Sequence, residues 1–255
     1  MNLVTGEKIR EFAFSENIPY CDTHELSYMS LNMAYIRKFV SHNSDGCILD
    51  HRARNCDFSF VEDAMPPNST LFAQNMDVLS DRVRPLPIGL ENSEWHKGRK
   101  FQEIEAVMKQ DIPRKSWLYV NHEITTNPSE REEPYRIFRN KGFATVIQTK
   151  KSYLDYIKDM KAHKFVLCPE GNGLDCHRTW EALYMGAIPI VKKRIFTQMF
   201  SRFMPMLIVP DWKTITLDYL KKEYERISSI EYPYGNQYLE MPFWEKVIKG
   251  EIKIA

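Results

Sequence analysis

The feature that most constrains this chain is a regular alternation through its second half. Residues 117–121 (WLYVN), 144–148 (ATVIQ), 165–168 (FVLC), 188–191 (IPIV) and 206–209 (MLIV) are short apolar runs of strand length. Between and after them, residues 135–140, 153–162, 177–185 and 217–227 space their apolar positions as helices do. Gly142 is expected to close the first of these helices and Gly186 the third, each as a C-terminal cap. Strands that alternate with helices require a parallel sheet with helices on both faces. The fold class expected is therefore α/β.

The first half is less regular. Residues 34–41 (AYIRKFVS) read as a strand that ends in His42-Asn43-Ser44-Asp45, and 69–74 and 84–88 read as two more short strands. Phe101, Ile104 and Val107 fall at helical spacing within 98–111, and Ile112-Pro113 ends that helix. The tail carries Tyr232, Tyr234, Tyr238, Phe243 and Trp244 and is expected to form a terminal helix that returns to the first unit. The division expected is 1–112, completed by 235–255, and 113–234.

Charge and motif content exclude several classes. With 35 Lys and Arg against 34 Asp and Glu, nothing favours a nucleic-acid partner. No run approaches the ~20 apolar residues of a membrane span, and the first residues lack a signal-peptide core. Five cysteines without a CxxC pair suit a reduced, cytoplasmic setting and no zinc site. His122-Glu123 begins like a zincin motif but Thr126 stands where the second histidine belongs. Gly171-Asn-Gly173 lacks the third glycine of a dinucleotide fingerprint, and no P-loop is present. No Asp-x-Asp occurs, so no metal is expected and leaving-group charge falls to arginines and helix N-termini.

The chemistry concentrates in residues 164–191. A strand enters a loop with Gly171 and Gly173, and the loop enters a helix with Asp175 as its expected cap. Ligands of open parallel sheets bind beyond the carboxyl ends of the strands, where glycines admit close approach and helix N–H groups face an anion. His177, Arg178 and Glu181 are expected on one helix face aimed at one ligand, with Trp180, Leu183 and Tyr184 turned to the core. Arg178 suits phosphate oxygens and Glu181 a ribose diol. The plainer alternative is a helix-surface ion pair.

The run CPEGNGLDCHRTWEALYMGAIPIV (168–191) resembles the donor-binding signature of exostosin-like glycosyltransferases, including small soluble members from large algal viruses. Looser likeness extends to HNSD at 42–45, LFAQN at 71–75, PLPIGLEN at 85–92 and YVN at 119–121. The resemblance implies a GT-B arrangement, two Rossmann-like domains facing a central cleft. It implies an inverting, metal-independent transfer of a sugar from a UDP-sugar to a glycan, with xylose the first donor to try. Glu170, Gly171, Asn172, Gly173 and Asp175 would line the donor, with His177, Arg178, Thr179 and Glu181 on the following helix. Arg131 is a candidate helper, its alternative being an exposed charge. The catalytic base is expected at the end of the 34–41 strand, Asp45 first and His42 second, with Asp22 and His24 as further options. The competing reading is a non-catalytic sugar-nucleotide or glycan-binding module of the same fold.

Overall fold

The computed structural model describes residues 2–26, 36–49 and 65–254. The chain enters through helix α1 (Gly6–Ser15), capped by the Thr5 hydroxyl, which accepts from the Lys8 backbone N–H. Strands β1 (Tyr20–Cys21), β2 (Lys38–Ser41), β3 (Ile48–Leu49), β4 (Thr70–Ala73), β5 (Met76–Asp77) and β6 (Val83–Pro85) follow, then helix α2 (Arg99–Met108). Among the described residues β1, β2, β4 and β6 form one parallel sheet in that order, and β3 pairs with β5. The expected strands at 69–74 and 84–88 are present in shorter form. Of the 34–41 run, residues 34 and 35 lie outside the described residues and the strand begins at Lys38.

The second half alternates as expected: β7 (Ser116–Val120), α3 (Pro128–Phe138), β8 (Ala144–Val146), α4 (Tyr153–Ala162), β9 (His163–Leu167), α5 (His177–Tyr184), β10 (Ile188–Lys192), α6 (Ile195–Phe200), β11 (Leu207–Val209) and α7 (Leu217–Ser228). The sheet is parallel in the order β11-β10-β9-β7-β8. Its strands alternate between two cores. Leu118, Phe165, Leu167 and Ile190 pack with Phe138, Trp212 and Leu220 on one face. Tyr119 and Val166 pack with Ile157 and Trp180 on the other, in a core continuous with that of the first half.

Two local expectations need correction. Helix α3 begins at Pro128, a residue suited to a first turn because it has no N–H to satisfy, and it ends at Phe138. Gly142 therefore lies beyond it and has no left-handed φ, so it is not a cap. Gly186 is one: its φ is +68°, and Gly186 N–H and Ala187 N–H return to the Leu183 and Ala182 carbonyls at 2.9 Å each.

The tail forms helix α8 (Met241–Lys249), which contacts both halves. Met241 N–H donates to the Asn2 carbonyl at 2.8 Å, and Lys249 pairs with Glu16 of α1 at 2.9 Å. Trp244 meets Trp180 and Phe200 edge-on. Among the described residues no helix is long and apolar enough to cross a membrane.

Candidate functional site

The second sheet reverses its winding between β7 and β9, and such a switch point opens a crevice at the strands' carboxyl ends. Two loops leave the sheet there: 121–127 after β7, and 168–176 after β9. Arg131, only 6% exposed, ties them together. Its Nε donates to the Glu170 carbonyl at 2.8 Å and its Nη1 to the Glu123 carbonyl at 2.9 Å, while Asn127 Nδ2 reaches the Gly171 carbonyl at 2.8 Å. Arg131 is thus no exposed surface charge. Its Nη2 lies against Gly171, where a Cβ would stand 2.8 Å away.

Arg178, in the first turn of α5, makes no hydrogen bond or ion pair with any described residue. Its Nε is buried without a partner, and its guanidinium stacks over the Tyr156 ring at 5.8 Å. Burial opposes its charge, but the acids around it, Tyr156, Cys176, Cys168 and Glu181, outweigh that and raise its pKa. The alternative of a helix-surface ion pair does not occur. Glu181, 7% exposed, instead accepts from Tyr153 Oη and Tyr156 Oη at 2.9 Å each. Burial raises both phenols' pKa, so each keeps the proton it donates.

His122 is a further candidate site residue that motif matching passes over. Its Nε2 donates to the Arg131 carbonyl at 2.8 Å, which leaves Nδ1 as a bare acceptor, and that atom is buried without a partner among the described residues. Burial, with help from Arg178 and Arg131, pushes the imidazole down to about 4. The sequence signal was its place directly after the first strand of an alternating sheet, not its neighbour Glu123.

Several expected donor-lining side chains are committed elsewhere. Glu170 is held by Arg194 through Nε and Nη2 at 2.7 and 2.9 Å. Asp175 does not cap α5, whose N-cap is Cys176. Its carboxylate accepts from Ile88 N–H of the first half at 2.8 Å, from Trp180 Nε1 at 2.9 Å and from Cys176 N–H at 2.9 Å. Burial pushes that carboxyl up to about 6 against these donors. Gly173 is pressed on Asn75, whose Oδ1 accepts from Asp175 N–H at 2.9 Å. Thr179 is buried beside Cys176 Sγ at 3.5 Å. His177 turns away from Arg178, its Nδ1 2.9 Å from the Gly89 carbonyl, so the expected single ligand face is split between the halves. Asn172 is exposed at the loop tip.

A cavity of about 390 Å³ opens at the carboxyl edge of the first sheet. Asp22 after β1, Asp45 after β2, Gln74 after β4 and Ile88 after β6 line it, and His177 closes it from the second half. The 42–45 loop is pinned: Asn43 N–H donates to Gln74 Oε1 at 3.0 Å, and Gln74 Nε2 and Asn75 Nδ2 donate to the Ser44 carbonyl at 3.2 and 3.0 Å. The Asp45 side chain is exposed and has no hydrogen bond or ion pair with a described residue. His42 is sealed at 1% exposure, its Nε2 donating to the Pro87 carbonyl at 2.7 Å and its Nδ1 accepting from Asn43 N–H at 2.8 Å. Burial pushes it down to about 4, and with both nitrogens engaged it has no lone pair for an incoming proton. The backbone of His24 lies in a short turn after β1, and its side chain lies outside the described residues.

Two parallel sheets, each presenting functional groups at its carboxyl edge, make this an α/β protein consistent with a two-Rossmann-like architecture. A family model, the RXYLT1 C-terminal domain, matches residues 129–228, from α3 to α7. The matched stretch, less than half of the chain, is similar to a domain of xylosyltransferase-like, exostosin-related type, and it includes Arg131, Arg178 and Glu181. His122 and the whole first half lie outside it. No curated protein matches the chain.

Proposed function

We propose that this chain is an inverting, metal-independent glycosyltransferase of GT-B arrangement that moves a sugar from a UDP-sugar to a glycan acceptor. Residues 1–112, completed by 235–255, would form the acceptor side and 113–234 the nucleotide-sugar side. The observation that carries the reading is Arg178: a guanidinium kept partly out of water at a switch point, with its donors unspent on any described residue. Folding alone gives no reason to hold a charge there without a partner. A diphosphate supplies one, and the α5 N-terminus adds N–H groups to it. Glu181 would offer its remaining lone pairs to the ribose while it fixes Tyr153 and Tyr156.

Screening a panel of sugar nucleotides by thermal shift, with UDP-xylose first, tests donor binding, because a ligand of the native state alone raises Tm. No shift with any UDP-sugar would sink the reading. Transfer is expected to proceed undiminished in excess EDTA, since arginines and not a cation meet the leaving-group charge. Abolition by EDTA with rescue by manganese would remove the metal-independent mechanism.

His122 adds an acceptor to this site. His122→Gln retains an amide N–H able to reach the Arg131 carbonyl but deletes the Nδ1 lone pair. UDP-sugar affinity should fall roughly tenfold in calorimetry, the scale of one hydrogen bond, with Tm nearly unchanged. Affinity equal to wild type would show that Nδ1 meets no ligand group. The buried His42 and the half-buried His122 both have folded pKa values below the unfolded one. Their contribution to stability is complete above about 6.5 and is lost as pH falls toward about 4.

A further inference from the structure

The cavity at the first sheet's edge holds more carboxylates than the one base that the glycosyltransferase reading requires. Among the described residues four carboxylates line it, from Asp22, Asp45, Glu91 and Glu94, against the single guanidinium of Arg10. Glu91 is paired with Lys100, while Glu94 is exposed and Asp45 stands without a partner among the described residues. Trp95 on the same rim is 73% exposed, although large aromatics normally bury that area.

The turn that presents Glu94 and Trp95 is fixed in place. Ser93 N–H and Ser93 Oγ both donate to the Glu7 carboxylate of α1, at 2.7 and 2.6 Å, and Glu7 N–H donates to Asn92 Oδ1 at 2.9 Å. The indole is therefore held on a pinned short helical turn, Ser93–Trp95, and not on a loose chain. A flat apolar face beside carboxylates matches the two surfaces of a sugar ring, whose C–H face stacks on an aromatic and whose hydroxyls donate to acceptors. A volume of about 390 Å³ falls within the range of small-molecule pockets, roughly 300–1,000 Å³.

We infer that this cavity binds an uncharged sugar of the acceptor, stacked on Trp95 with hydroxyls toward the carboxylates, and rejects uronates and phosphosugars. The inference rests on the glycosyltransferase reading for its role but not for its binding chemistry. The two halves of the cleft would then divide the charges: the anionic donor meets Arg178 and Arg131, and the acidic rim repels a second anion. Specificity of this kind comes as much from the repulsion as from the stacking. It survives at physiological salt because the charges lie well within a Debye length of a bound sugar, about 8 Å.

The test compares methyl glucoside, galactoside, fucoside and xyloside with methyl glucuronide and galacturonide, by saturation-transfer NMR on the full chain. At least one neutral glycoside should bind, and its matched uronate should bind at least about tenfold more weakly, the effect of one uncompensated like-charge contact. Trp95→Ala should abolish the neutral signal while UDP affinity and Tm stay at wild type. Glu94→Lys should narrow the gap between each neutral sugar and its uronate. Equal or tighter uronate binding, a Trp95→Ala protein that still binds the neutral glycoside, or no binding by any probe at millimolar concentration would overturn the inference. Failure of the enzyme reading is separate and visible: UDP-sugars would not bind, whatever the glycosides do.

Discussion

Arg178→Ala is expected to abolish most donor binding and to lower transfer by at least about a hundredfold without lowering Tm. The loss in rate follows from the magnitude of removing one positioned donor from developing charge, ~10²–10³ in kcat. The second half of the expectation is the more discriminating. A structural arginine leaves unsatisfied partners behind when it is truncated, and the fold weakens. Arg178 has no such partners among the described residues and gives only its stacking on Tyr156 at 5.8 Å, a contact of order 0.5–1 kcal/mol. The burial that opposes the charge and the acids that favour it act in opposite directions, so the net change in Tm should be small. Activity and stability should therefore part company, as they do at sites strained for function. Arg178→Lys keeps a charge but not the planar fork, and should restore only a fraction of UDP affinity. A substituted protein that binds UDP as wild type, or that melts well below it, would make Arg178 structural and remove the diphosphate assignment.

How far the sequence revealed this site depends on which physical term decides each residue. The alternation of 117–227 was legible because parallel strands buried on both faces must be continuously apolar, and α4 spans Tyr153–Ala162 as its pattern required. Helix α1 went unread although Thr5 precedes Ile9, Phe12 and Ala13 at helical spacing, all buried. Its signal was present but sat in a stretch weighed only as a leader. Short α6 gives too few turns for a period to be read. Within 168–183 the order of strand, loop and helix was legible and the side-chain partners were not. The same carboxylate type caps a helix, closes an ion pair or contacts a ligand according to tertiary partners. Glu170 is spent on Arg194 from beyond β10, and Asp175 on Ile88 from the other half. Helix periodicity placed Glu181 beside Arg178, but two tyrosines of α4 claim Glu181 first. His122 and Trp95 show the reverse case, since an unpaired lone pair and an exposed ring acquire meaning only once their surroundings are known.

Asp45→Asn should lose at least about a hundredfold in kcat, the lower end of what general-base assistance supplies, ~10²–10⁴. UDP affinity and Tm should stay near wild type, because a group used only during transfer contributes to the transition state and not to the donor complex. The geometry narrows the choice of base. An imidazole with both nitrogens engaged cannot take a proton without breaking a buried hydrogen bond, so His42→Ala should read first as a folding defect. Asp45 is the opposite case. Its loop is held by Gln74 and Asn75, and Asn43 is turned by a φ of +61°, yet the exposed Asp45 lines the cavity with no side-chain partner among the described residues. A rigid backbone behind an uncommitted side chain is the arrangement that catalytic positioning needs. Asp22, at the end of β1, lines the same cavity and is the proper comparison. Full turnover in Asp45→Asn together with an inactive but folded Asp22→Asn would transfer the role to Asp22. Full turnover in both would show that the cavity is not where the acceptor hydroxyl loses its proton, and the acceptor side would have to be sought away from the first sheet's carboxyl edge.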